Sequence, residues 1–187
     1  MSASTPTFTI RRAQLADAPV IADIHVRAWQ TTYKGIMPDD FLAGLAPEQR
    51  YARWERDITV PDREMTVIVA VEADSDRVAG FCSVCPQKHL EPGDESLPPA
   101  GELHTMYVDT GFKGGGMGRA LITTGVDALR DLGYTRAVVW MLADNAPARA
   151  FYERMGWTVD GVSSFVRYGD GQIREIRLAR SLVDADS

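Results

Sequence analysis

The chain has 187 residues, enough for one compact domain and short for two. Apolar residues make up 45% and charged residues 25%, an ordinary globular balance that can close a sizeable core, and the net charge of -6 argues against a phosphate-backbone partner, which needs clustered Lys and Arg. Met1 to Thr9 has no charged stretch leading into an apolar one, and no apolar run approaches membrane-spanning length, so a cytoplasmic protein with no membrane and no nucleic-acid partner is expected.

No internal repeat or domain linker appears, and residues 1–187 read as a single domain. Residues 7–13 alternate enough for a first strand. Asp17 can cap a helix, with Pro19 tolerated in its first turn, and Val20, Ile21, Ile24 and Ala28 form an apolar stripe at helical spacing. The segment from Trp29 to Pro38 breaks that helix, and a second helix is expected from about Pro47 to Asp57. Residues 65–72 and 77–85 read as two strands around an Asp- and Ser-rich turn. Residues 86–99, with Pro86, Pro92, Pro98 and Pro99, read as a mobile surface loop: either a lid over a site or a plain solvated loop. Residues 101–109 form a strand, and the glycine cluster 114–118 opens a helix that runs to about Leu132, with Met117, Leu121, Ala128 and Leu132 on one face and Gly133 as its stop. Residues 135–142 form another strand. Asn145 caps a helix through Met155, and strands near 161–168 and 172–179 flank the hairpin signal Gly169-Asp170-Gly171. This order predicts an α/β protein, a mixed sheet with helices on its faces.

Cys82 and Cys85 are spaced C-x-x-C. Zinc would need two further ligands and no second C-x-x-C exists, while a redox pair should start a helix rather than end a strand. Two buried or half-buried thiols are expected, and no metal site.

The turn Lys113-Gly114-Gly115-Gly116-Met117-Gly118-Arg119 lies between a strand and a helix, where glycines bring N–H groups close to a ligand and the helix N-terminus favours a phosphate or pyrophosphate. The P-loop pattern fails because Met117 and Gly118 stand where Lys and Ser or Thr belong. The dinucleotide fingerprint fails at Arg119. A third pattern fits, [QR]-x-x-G-x-[GA], with Lys113 in place of Gln or Arg. A second block, Asn145-Ala146-Pro147-Ala148-Arg149-Ala150-Phe151-Tyr152 with Gly156-Trp157, is similar to N-x-x-A-x-x-F-Y-x-x-x-G-[FW]. With these two blocks in order, residues 64–158 resemble the GNAT superfamily of N-acetyltransferases. The N-terminal W-x-x-x-Y-x-G-I-x-P looks like a common bacterial branch of that family.

The resemblance implies a mostly antiparallel mixed sheet of about seven strands flanked by about four helices, with acetyl-CoA as cosubstrate and an amine as acceptor. It implies that Met106, Tyr107 and Val108 bond the pantetheine arm through their backbone, that residues 114–119 hold the pyrophosphate, and that Asn145 either bonds the CoA arm or caps its helix. Tyr152 matches the family's tyrosine near the CoA sulfur, an acid for the leaving thiolate; of the adjacent pair, Phe151 suits the core better. Glu102, at the start of its strand, is the expected base, since partial burial would raise its pKa, or else a carboxylate that orders water or a cationic substrate. His104 shares its strand face and is an alternative base. A base on the strand before Asn145 is not available, since Trp140 stands there. His25, Trp29 and Tyr33, spaced by four, line the acceptor pocket by resemblance, and their rings suit an amine through cation–π contact or simply pack. Trp54 and Trp157 are expected in the core. No cysteine lies in either block, so transfer is expected directly, within a ternary complex. A non-catalytic acyl-CoA sensor is the alternative, and family members often pair as dimers, so a homodimer is among the expectations.

Overall fold

The computed structural model describes residues 7–60, 64–112 and 115–183. Strands β2 (Thr66–Glu72) and β3 (Val78–Pro86) lie at the centre of one half of the sheet and are buried almost without interruption. Helices cover both of their faces, so the sequence shows continuous apolar runs rather than alternation. Val67, Val69, Val71 and Phe81 turn to one face, against Ile21, Ile24 and Trp54 of α1 (Ala18–Thr32) and α3 (Glu48–Thr59). Ile68, Ala70, Cys82 and Val84 turn to the other, against Leu121, Ile122, Val126 and Leu129 of α4 (Met117–Asp131). Burial of each large aliphatic side chain here contributes about 1.5–3 kcal/mol.

With β1 (Phe8–Arg12), β4 (Ala100–Val108), β5 (Arg136–Leu142), β6 (Thr158–Tyr168) and β7 (Gly171–Ser181), the sheet has seven strands in the order β1-β2-β3-β4-β5-β7-β6. Every neighbouring pair is antiparallel except β4 and β5. The expected mixed, mostly antiparallel sheet is therefore present. Among the described residues five α-helices accompany it, against about four expected: α2 (Asp39–Ala43) is too short for its periodicity to be read, and α5 (Ala146–Arg154) follows β5.

Several local expectations change. Asp17 does not cap α1 with its side chain; it accepts two hydrogen bonds from Arg11 (2.6 and 3.0 Å) and one from the Gln14 amide (2.7 Å), tying β1 to the turn before the helix. Helix α1 continues through Trp29 to Thr32, and the chain reverses only at Gly35, whose φ is +79°. On α4 the buried face is Met117, Leu121, Ile122, Val126 and Leu129, whereas Leu132 lies past the end of the helix and is exposed. Gly101 lets α4 sit against β4, because a Cβ there would stand 2.5 Å from Leu129.

Residues 87–99 are not a free loop. Asp94 is buried and accepts a bidentate pair from Arg177 of β7 (2.6 and 2.9 Å), a bond from Gln87 (2.7 Å) and one from the Glu91 amide (2.9 Å). Arg177 also donates to Asp160 of β6 (2.7 Å). The Arg177 guanidinium holds the Asp94 carboxyl well below the usual carboxylate range. Cys82 and Cys85 are free thiols on β3, both fully buried, and burial pushes each up to about 12. Among the described residues no helix is long and apolar enough to cross a membrane, and no group of three His, Cys, Asp or Glu is placed to hold a metal.

Candidate active site

β4 and β5 pair only through Ala100↔Arg136, Gly101↔Ala137 and Glu102↔Val138. β4 then runs on to Val108 and β5 to Leu142 without a ladder between them. The β5-facing edge of Leu103–Val108 thus offers backbone groups to whatever enters the gap. Met106, Tyr107 and Val108 lie on that stretch, and their other edge is paired with Cys82, Phe81 and Gly80 of β3.

At the end of β4 the chain turns into α4. Lys113 and Gly114 lie outside the described residues. Gly116 is the N-cap, with a φ of +83° that a side chain would strain. The first amides of α4, from Met117, Gly118 and Arg119, have no acceptor within the helix, and the helix dipole adds positive potential. Met117 buries its side chain in the core, so it can serve a ligand only through its backbone, while Arg119 is exposed. Gly115 is half-buried in the turn. Asn145 caps α5, its Oδ1 accepting from the Ala148 amide at 3.2 Å.

The aromatic pair on α5 is reversed from expectation. Tyr152 is buried against Phe151 and Trp157, while Phe151 is half-buried and packs beside Gly118. Among the described residues the Tyr152 hydroxyl has no hydrogen-bond partner. Burial, with Tyr33 and Cys82 nearby, raises its pKa well above the ordinary tyrosine value, so it stays protonated. Trp54 and Trp157 are in the core as expected.

Beside the gap opens a cleft of about 1000 Å³, walled by α1, α3, β4, the β6–β7 hairpin and residues 88–91. His25 and Trp29 share one face of α1 and Tyr33, its C-cap, continues the row, with ring centroids 5.3 and 5.5 Å apart. The Trp29 indole donates to the Tyr107 hydroxyl (2.7 Å), which is 3.0 Å from the hydroxyl of Tyr33. His25 stacks on Tyr107 and edges onto Trp54, and neither ring nitrogen has a partner or solvent contact. Burial, with Arg50 and Arg53 adding to it, pushes its pKa down to about 3, so it packs as a neutral ring.

Glu102 occupies the last rung that β4 shares with β5. Its Oε1 accepts from His104 Nδ1 at 2.7 Å and its Oε2 from the Lys88 amide at 3.1 Å. Burial alone would raise its pKa, as expected from the sequence, but the bonds from His104 and Lys88 outweigh burial and lower it. Glu102 is therefore a fixed carboxylate rather than a poised base. With Nδ1–H donated to that carboxylate, His104 presents an unprotonated Nε2, which accepts from Arg53 at 3.0 Å. The two residues that share a strand face by alternation thus form one hydrogen-bonded dyad in the cleft wall.

The sequence did not single out Arg50 and Arg53 of α3, Tyr168 of β6 or Glu175 of β7, all of which line this cleft. The Tyr168 hydroxyl donates to Glu175 Oε1 at 3.3 Å. A signal existed for Glu175: it alternates with Ile173 and Arg177 on one strand face, an acid among inward-facing positions. For the two arginines there was none, because α3 carries charges on most of its surface.

A model of the acetyltransferase (GNAT) family matches residues 25–157. An uncharacterized N-acetyltransferase of Bacillus subtilis, YuaI, is 30% identical over 145 residues, covering 78% of this chain and 77% of that one. A mycothiol acetyltransferase of Kocuria rhizophila is 35% identical over 97 residues, and the match spans 50% of this chain but only 31% of that enzyme. In fold, the PaiA N-acetyltransferase of Thermoplasma acidophilum, solved in complex with coenzyme A, superposes with a TM-score of 0.71 at 16% identity over 94% of this chain and 99% of that one. The reach of the family match and the length shared with the Bacillus protein establish that the chain belongs to the acetyltransferase (GNAT) family.

Proposed function

We propose that the protein moves the acetyl group of acetyl-CoA to a primary amine by direct attack within a ternary complex. Membership of an acetyltransferase family makes acetyl-CoA the cosubstrate, and the residues present suit it. The open edge of Leu103–Val108 can pair with the amide groups of a pantetheine arm, and the free amides of α4 suit a pyrophosphate. The observation that carries the reading is the Glu102–His104 dyad, placed where β4 and β5 part.

An amine attacks a thioester only when neutral, so a proton must leave it. Glu102 holds His104 in the tautomer that leaves Nε2 free to take that proton once Arg53 gives way. As the new C–N bond forms and the C–S bond breaks, the electron pair goes to sulfur. The Tyr152 hydroxyl, kept protonated by burial, supplies the proton that the thiolate needs. No cysteine takes part: Cys82 and Cys85 are sealed in the core, which favours direct transfer over an acetylated enzyme.

The test is release of CoA thiol from acetyl-CoA, with separate panels of small amines, aminoglycosides and peptides. Release with at least one panel, and a fall in kcat of about tenfold to a hundredfold in Tyr152→Phe, is the expected outcome. Protein that binds acetyl-CoA but releases no thiol with any amine would overturn the reading.

A further inference from the structure

The charges on the helical and sheet walls of the cleft are of opposite sign, and residues 88–91 add Lys88 and Glu91. The α3 wall carries Arg50 and Arg53, one turn apart. The sheet wall carries the carboxylates Glu102 and Glu175. Arg53 is already engaged, with Asp57 at 3.4 Å and with His104. Arg50 is not. Among the described residues its guanidinium makes no ion pair and no hydrogen bond, although it is half-buried. Its carbon Cζ sits 5.2 Å from the centroid of the Trp29 ring. Other arginines that leave solvent find oxygen acceptors: Arg11 has Asp17, Arg177 has Asp94 and Asp160, and Arg180 has the Met155 carbonyl. Burial and the charge of Arg53 lower the pKa of Arg50, the mark of a cation whose own protein supplies no counter-charge.

This arrangement also changes the use of the aromatic wall. The Trp29 ring, whose expected use was cation–π contact with an amine or simple packing, lies under Arg50. A planar guanidinium supported on an indole presents its donors as a fork, which matches a carboxylate bidentately.

We propose that the acceptor is a small amine that also bears a carboxylate, an amino acid or a close analogue, with the carboxylate seated on Arg50 and the amine turned toward Glu175 and the Glu102–His104 dyad. This rests on the N-acetyltransferase reading above and narrows its acceptor. The opposed charges would then set the direction in which the acceptor lies, presenting its amine to the gap between β4 and β5.

The experiment compares the twenty L-amino acids, each with its carboxamide and its decarboxylated amine, by CoA thiol release. The expected result is a kcat/KM at least tenfold higher for the carboxylates that react than for their paired compounds. In Arg50→Gln that ratio falls to within about twofold of unity. Arg50→Lys, which keeps the charge but not the fork, gives an intermediate ratio. Acetyl-CoA affinity and thermal midpoint, measured on each variant, separate this from a folding defect. Equal or better turnover of the carboxamides or decarboxylated amines overturns the proposal, as does unchanged preference in a folded Arg50→Gln protein. Acetylation of polyamines or aminoglycosides alone, with no amino acid used, overturns it while leaving the N-acetyltransferase reading intact. Silence with every amine removes both.

Discussion

The two flanks of the gap between β4 and β5 are made of different material. On one flank lie the edge of Leu103–Val108 and the first turn of α4, where the groups facing the gap are backbone ones, with no side chain at Gly116 and that of Met117 turned into the core. On the other flank the cleft is a mosaic of side chains from α1, α3, β4, β6 and β7. A backbone site is specified by a few adjacent residues that keep side chains out of the way, and it presents the same groups whatever the rest of the chain is doing. A side-chain site is specified by residues far apart in sequence, each free to change without disturbing the sheet. The first suits the acetyl-CoA proposed as donor, and the second suits the amine proposed as acceptor.

The sharpest way to break this comparison is at the junction. Glu102→Gln keeps the shape but removes the charge that fixes the His104 tautomer, so kcat should fall by about a hundredfold or more while acetyl-CoA affinity stays within about twofold. A matched fall in acetyl-CoA affinity would mean that the two flanks are one site and not two.

On the acceptor flank, His25 ties stability to pH. Its folded pKa of about 3 lies below the ordinary value, so the stability it carries is whole above pH ~6.5 and is lost as the pH falls toward 3. Replacing it by His25→Phe should remove about 2 kcal/mol of the stability difference between pH 7.5 and pH 5, read by urea denaturation at each pH. An identical acid sensitivity in the variant would show that the ring gains its proton without cost.

The smallest effect is expected on the donor flank. Asn145→Ala removes the cap of α5 and should cost about 1 kcal/mol of stability, with acetyl-CoA affinity unchanged. A tenfold weaker acetyl-CoA titration would instead assign the Asn145 amide to the donor.

The same division governs what the sequence discloses. The donor flank could be read because its requirements are local: a strand, a run of glycines, a helix, and later Asn145 with its own helix. The strands β2 and β3 were equally plain, since β-branched residues recur there between turn signals. The failures are nonlocal. Asp94 and Arg177 are 83 positions apart, so nothing near the prolines of 86–99 announces that the loop is tied down. The burial of Tyr152 rather than Phe151 depends on where α5 meets Trp157. The sign of the Glu102 shift sets burial against the bond from His104 and then the amide of Lys88, the last from a loop whose path sequence spacing does not reveal. Arg50 belongs to the same class, an ordinary surface arginine until α3 is laid beside α1.

The two thiols of β3 have a practical consequence. Cys82 and Cys85 are almost wholly excluded from water and are held as neutral S–H by burial. A disulfide reagent such as Ellman's dianion should therefore find nothing to titrate on the native chain, and the free coenzyme liberated by turnover should be counted against a dark background. The same reagent turns into a clock for opening, because colour contributed by the protein itself can appear only as fast as β3 loses its cover, α4 over Cys82 and the α3 side over Cys85.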